Sequence, residues 1–75
     1  MDLQAAVAIA KQHVADVFAA ELPSEVRLES FLYDDHLMVW SLTIAFVCNG
    51  EPETRRSKLV RVSEANRTVL SVRDP

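Results

Sequence analysis

The chain is poor in the residues that build the specialised classes of small protein. It has one cysteine, one glycine and three prolines among its 75 residues. A single cysteine cannot form an internal disulfide, which excludes a disulfide-stapled secreted scaffold. So little glycine and proline excludes collagen-like, linker and low-complexity segments. No apolar run approaches the roughly 20 residues that span a bilayer as a helix.

The common motifs of catalysis and cofactor binding are also missing. The sequence has no Walker loop, GxGxxG, HExxH or CxxC. We predict that His36 and Cys48 lie at opposite ends of one strand, too far apart for a Cys–His pair, and that His13 lies on a helix flank. The run 34–36, Asp-Asp-His, lacks the remote ligands that close a metal site. We therefore expect a non-enzyme with no cofactor and no metal, in which Cys48 is a half-buried structural thiol.

The residues that are present describe one globular domain covering residues 1–75. Apolar residues make up 49% of the chain, charged residues 25%, and the net charge is −3. The N-terminal segment lacks the basic start of a signal peptide, so we expect a soluble cytoplasmic protein. A core this small is marginally stable without a disulfide or a metal, which favours support from oligomerisation or from a bound partner.

The first third of the chain has helical periodicity. We predict a helix over residues 3–22, capped by Asp2 and ended by Pro23. Its outer face carries Ile9 among alanines and few charges. The predicted core face repeats at three- and four-residue steps: Leu3, Val7, Ala10, Val14, Val17 and Phe18.

After Pro23 the apolar period becomes two, which predicts four antiparallel strands near residues 26–33, 37–46, 55–63 and 68–73. A turn at 34–36 pairs Tyr33 with Leu37 and sets Ser30 opposite Trp40. A loop is predicted at 48–54 and a turn at 64–67, where Asn66 tolerates a left-handed backbone. The inward residues are then Val26, Leu28, Ser30, Leu32, Met38, Trp40, Leu42, Ile44, Phe46, Val60, Val62, Leu70 and Val72.

This order predicts an α+β fold in two layers. One N-terminal helix packs on one face of a four-stranded antiparallel meander sheet, αββββ. The uncovered face should then hold an apolar patch, which is unusual on a solvated sheet and suggests a binding surface. The alternatives are that the 48–54 loop covers the patch, or that the register is off by one residue. The predicted partner-binding residues are Phe31, Tyr33, Leu37, Val39, Glu29 and Arg61.

Charge is spread unevenly along the chain. Residues 1–54 carry a net charge of −7 and residues 55–75 a net charge of +4. All five aromatic residues precede the basic segment, and alternation divides its cations between both faces of the sheet. We expect neither nucleic-acid nor membrane binding, and we expect cross-strand pairing such as Arg61 toward Glu29.

The segment Lys58–Pro75, KLVRVSEANRTVLSVRDP, resembles the closing hairpin of PepSY-like domains. Such a hairpin has an acidic, small-residue turn followed by a TG-x-V-L strand, here Asn66-Arg67-Thr68-Val69-Leu70. Arg67 stands where the family usually has glycine, and Ser63 where it often has aspartate. The layout is also similar to cystatin-like folds. The resemblance implies binding, and in some proposals inhibition, of peptidases or other proteins, without catalysis by the domain.

These observations give three functional hypotheses. The first is a bacterial-type, non-enzymatic protein-interaction module, homodimeric through the open sheet face, with apolar anchors and a polar rim. The second is an inhibitor or immunity-type regulator that neutralises a peptidase or toxin. The third is a small-ligand binder or enzyme that uses a cleft between helix and sheet.

Overall fold

A computed structural model describes residues 1–50 and 52–75. The helix precedes four antiparallel strands, which form a single sheet in the order β1-β2-β3-β4. This arrangement confirms the predicted αββββ layout. The elements are α1 (Leu3–Val17), a 3-10 turn (Ala19–Glu21), β1 (Pro23–Asp34), β2 (Val39–Cys48), β3 (Thr54–Ser63) and β4 (Val69–Arg73). The predicted 48–54 loop is shorter at both ends, and its Glu51 lies outside the described residues.

The start of α1 is set by its cap. The Asp2 carboxylate accepts the Ala5 amide N–H at 2.8 Å, as predicted. The helix then buries a narrow stripe of small residues, Ala6, Ala10 and Val14, against the sheet. Small side chains bring the helix axis close to the strands, so that a short helix forms a dense contact.

The end of α1 differs from the prediction. The α-helix stops at Val17, and Leu22, with φ 49°, turns the chain into β1 before Pro23 is reached. Val17 is exposed rather than in the core. Ile9, predicted to face outward, packs partly buried against the core.

The core lies between α1 and the two central strands. Leu42, Ile44 and Phe46 on β2, with Val60 and Val62 on β3, are almost completely buried, as their alternation predicted. Val26, Leu28 and Trp40 are partly buried around them. The centre of the sheet thus follows the sequence pattern closely.

The β1–β2 register was predicted wrongly. Asp34 pairs with Val39 and Tyr33 with Trp40, so Tyr33 rather than Ser30 lies opposite the tryptophan. The chain turns through Asp35–Met38, a longer turn than the one predicted at 34–36. A register shift between Leu28 and Ser30 then reverses the alternation, as a β-bulge does.

This correction moves side chains between faces. Leu28 keeps its predicted place on the helix side, opposite Ile44, but Ser30 and Leu32 lie on the open face, opposite Thr43 and Ser41. Phe31 lies on the helix side, opposite Leu42. Strict alternation across the bulge is what misled the prediction.

A second shift occurs in the closing hairpin. Val62 pairs with Val69 while Arg61 pairs with Ser71, so Leu70 sits at the irregularity and is exposed rather than inward. Val69 and Val72 take the packing positions. The left-handed residue of the turn is Arg67, with φ 55°, not Asn66. Glycine adopts this conformation most easily, so an arginine here carries a backbone cost.

The prediction from this core is a contrast between two leucines. Leu42→Ala removes a fully buried side chain and should lower the free energy of unfolding by about 2–5 kcal/mol. Leu70→Ala removes a largely exposed one and should cost less than about 1 kcal/mol. Urea denaturation followed by circular dichroism measures both. Equal losses would contradict the register of the β3–β4 hairpin.

Candidate interaction surfaces

The end of the β1–β2 hairpin exposes apolar side chains. Four of the seven large apolar residues that the structure describes as exposed are found here, and we name them the hairpin tip. Their exposed fractions are 55% for Phe31, 68% for Leu32, 62% for Leu37 and 48% for Met38. Exposed apolar side chains concentrated at one end of a hairpin are typical of a contact site.

The turn that carries the hairpin tip is held by its own hydrogen bonds. The Asp34 carboxylate accepts the amide N–H groups of His36 at 2.9 Å and Leu37 at 3.0 Å. Met38 takes a left-handed backbone, with φ 55°, and its carbonyl accepts the Glu64 amide N–H at 3.0 Å. The turn is therefore fixed both internally and to the loop after β3.

Beneath the hairpin tip lies an aromatic and charged anchor. The Tyr33 and Trp40 rings pack at 4.7 Å between centroids, inclined by 45°. The indole N–H of Trp40 donates to Glu64 at 2.6 Å, and the other Glu64 oxygen accepts from the amine of Met1. One carboxylate thus joins the start of α1, β2 and the turn after β3.

The anchor shifts two pKa values. The hydrogen bond from the Met1 amine, followed by that from Trp40, holds the pKa of Glu64 below its usual value. Partial burial, and then the negative charge of Glu64, raises the pKa of Tyr33. Both shifts favour an ionised Glu64 beside a neutral phenol.

The β1 strand offers a free edge next to the hairpin tip. It pairs only with β2, so the outward N–H and C=O groups of β1 have no neighbouring strand in the sheet. Register shifts interrupt its first half, between Ser24 and Arg27 and between Leu28 and Ser30. Ser30–Asp34 is a regular stretch, and regular edges are the ones that accept a further strand.

The structure divides the six predicted binding residues between two surfaces. Phe31, Tyr33 and Leu37 belong to the hairpin end, with Phe31 and Tyr33 on the helix side rather than on the open face. Val39 and Arg61 are on the open face, where Val39 is buried, and the Glu29 carboxylate accepts from Ser57 of the same face. The single apolar patch predicted there is wrong, because the longer turn and the bulge separate its members.

Sequence reasoning missed Leu32 and Met38, which alternation assigned to the core. A local signal was available. An aspartate at position 34 is the usual start of a turn closed by its own side chain, which favours a turn extending beyond residue 36.

The open face of the sheet has buried apolar residues on β2. Ala45 and Val47 are buried although no second layer covers them. They pair with Arg27 and Arg55 on neighbouring strands, whose long aliphatic stems shield small neighbours. The predicted pairing of Arg61 with Glu29 is wrong, because Glu29 accepts the Ser57 hydroxyl at 2.8 Å.

The far end of the molecule holds a second polar cluster. Both oxygens of Glu21 accept from Arg56, at 2.9 and 3.0 Å, and the guanidinium lies 5.1 Å from the centre of the Phe18 ring. The Cys48 thiol is buried, 3.8 Å from Glu21. This places Cys48 at the opposite end of β2 from the turn containing His36. The cluster tethers the end of α1 to β3, which is a structural role.

Another concave feature is an open groove of about 450 Å³ between α1 and β4. It is lined by Ile9, Gln12, His13, Asp16, Ala8 and Val69. Within the described ranges, 1–50 and 52–75, no three histidine, cysteine or acidic side chains come together as a metal site would require. The groove is open to solvent, and two of its polar lining residues, Gln12 and Asp16, are hydrogen-bonded to each other at 2.9 Å.

Comparisons with known proteins returned no matching family, no matching curated protein and no matching solved structure. The PepSY-like resemblance therefore stays a prediction. No helix in the described part of the chain is both long enough and apolar enough to cross a membrane.

The anchor predicts a pH-dependent contribution to stability from Glu64. The pKa of Glu64 is lower in the folded state than in the unfolded state. Its ionised carboxylate therefore stabilises the fold at pH values above the unfolded-state pKa, and this stabilisation is lost as the pH falls through the folded-state pKa. Glu64→Gln should lower the urea midpoint at neutral pH, and its difference from the parent should shrink on acidification. Trp40 fluorescence reports the transition. A difference that stays constant with pH would contradict the assigned carboxylate role.

Proposed function

We propose that the protein is a non-enzymatic protein-interaction module that functions as a homodimer through its hairpin tip and the free edge of β1. The observation that carries this proposal is the coincidence of exposed apolar side chains with a regular, unpaired strand segment. Hydrogen bonds between paired edge strands supply affinity and fix the register of the two copies. The side chains on both faces of the sheet then bury apolar surface between the copies.

A second copy fits this edge because the segment is complementary to itself. In a two-fold antiparallel pairing centred on Leu32, that residue lies opposite the partner subunit's Leu32. Phe31 then lies opposite the partner subunit's Tyr33, and the reverse pair is formed by symmetry. Cross-strand aromatic pairs are among the more stabilising combinations in antiparallel sheets.

The available area suggests a weak, reversible dimer. The four tip residues expose about 100 Å² each, or about 400 Å² per subunit, which is below the roughly 600 Å² per partner of a small specific interface. The register shifts in the first half of β1 prevent a longer regular pairing. We therefore expect a dissociation constant of about micromolar size and a concentration-dependent mass.

The first experiment measures solution mass by light scattering over a dilution series. The parent protein should approach twice its 8.4-kDa monomer mass at high concentration. Leu32→Asp places two like charges at the two-fold axis and should raise the dissociation constant about 100-fold or more. The matched control is Leu22→Asp, at an exposed leucine with a left-handed backbone that aspartate tolerates.

Two outcomes would count against the dimer. A parent protein that is monomeric at every concentration would remove it and leave the tip for a different protein, as the regulator hypothesis requires. Equal dissociation by Leu32→Asp and Leu22→Asp would show that the effect comes from added charge rather than from the tip.

A cross-linking experiment tests the pairing register. In a Cys48→Ser background, Leu32→Cys should form an intermolecular disulfide under mild oxidation, since residues opposite each other on paired strands lie within disulfide reach. Ser30→Cys is the control, because residue 30 should face the partner subunit's Asp34. Non-reducing electrophoresis reads the result. Faster cross-linking of Ser30→Cys would move the axis away from Leu32.

A further inference from the structure

The open face of the sheet is basic on a chain that is acidic overall. Strand pairing puts four arginines on it, Arg27, Arg55, Arg61 and Arg73. The same face carries two carboxylates, Asp34 at a paired position and Glu29 at the bulge, whereas the whole chain has a net charge of −3. Positive charge is therefore concentrated on the side of the sheet opposite the helix.

The fold uses the aliphatic stems of two of these arginines, Arg27 and Arg55, but pairs none of the four positive charges with a described carboxylate. In the part of the chain that the structure describes, Arg56 and Lys58 on the helix side form ion pairs with Glu21 and Asp74. The four open-face arginines form no ion pair with a carboxylate in the same described part. Glu29 and Asp34 are engaged elsewhere, by the Ser57 hydroxyl and by the turn amides. The guanidinium groups are thus available to an external anion.

Between the arginines the surface carries short polar side chains and Leu59. Ser41 and Thr43 occupy the middle of β2, beside Arg61 and Leu59. The Ser57 hydroxyl already donates to Glu29, and the Ser71 oxygen is buried. Ser41 and Thr43 are therefore the hydroxyl groups that can donate to a carboxylate of an approaching chain. Arginine itself binds a carboxylate through two parallel N–H groups.

The spacing fits an extended chain segment. Arg55 and Arg61 are six residues apart on β3, which is about 20 Å along a strand. Arg73 pairs with Leu59 and so lies diagonally next to Arg61. An extended peptide of about six residues reaches from Arg55 to the Arg61–Arg73 pair.

We propose that the open face binds an acidic, extended segment of another protein. Arg55 would hold one end of that segment, and Arg61 and Arg73 the other. A protein segment is favoured over nucleic acid because the paired positions of this face contain no aromatic side chain for base stacking. The acidic charge of the whole chain also opposes a long polyanion, but acts less on a short segment in contact with the face.

Fluorescence anisotropy of a labelled oligo-glutamate of about ten residues tests this surface at low ionic strength. The double change Arg61→Ala with Arg73→Ala should weaken binding about tenfold or more, a loss of about 1.4 kcal/mol. The matched control, Lys11→Ala with Arg67→Ala, removes the same charge away from the face and should change binding less than about twofold. Circular dichroism confirms that both variants fold.

Further probes discriminate between partners. An oligo-glutamate of about three residues is too short to reach both ends and should bind far more weakly than the longer one. An equal loss in the two double variants would overturn the site, since it would show a response to net charge alone. Tighter binding of an oligothymidylate of equal charge would overturn the assignment of a protein segment. A Phe31→Asp variant, which places its charge on the helix side of the hairpin tip, should weaken the dimer yet still bind oligo-glutamate, which separates this proposal from the dimer.

Discussion

The packing of a small-residue stripe of α1 on the two central strands is the contact on which the rest of the structure depends. Ala6 and Ala10 let the helix lie close to Leu42 and Ile44. A helix with small side chains is therefore enough to bury the centre of the sheet. The helix is about 22 Å long, whereas β1 extends about 40 Å, so one cannot cover the other. The molecule is elongated, 42 × 19 × 18 Å, and the end of the first hairpin stays exposed.

The sequence was sufficient where periodicity and burial agree. The fold class, the Asp2 cap and the central residues of β2 and β3 could be predicted because one face of those strands is completely buried. The register of β1 could not, because Asp35–Met38 forms a longer turn and a bulge near Glu29 reverses the alternation. Neither the longer turn nor the bulge changes the spacing of apolar residues in the sequence, which is all that periodicity reports. The prediction consequently merged the hairpin tip and the open face into one surface, and it underestimated the positive charge of the open face.

The two proposed surfaces meet at Leu32 but use different groups. One uses the edge of β1 and the hairpin tip, and the other uses the arginines of the face opposite the helix. An antiparallel pairing of two β1 edges would keep both helices on one side of a continuous sheet and both open faces on the other. A homodimer would therefore present two arginine surfaces side by side, and an acidic partner with two suitable segments would gain effective concentration from their linkage.

The left-handed corners of the backbone also have a consequence for stability. Among the described residues, Leu22, Glu25, Met38 and Arg67 have positive φ without being glycine. Such a conformation costs an ordinary side chain about 1 kcal/mol or more, while a domain of this size is stable by only about 4–11 kcal/mol. The fold is therefore less stable than the same backbone would be with residues that favour positive φ at these four positions. These positions are the natural ones to change in order to obtain a more heat-resistant form.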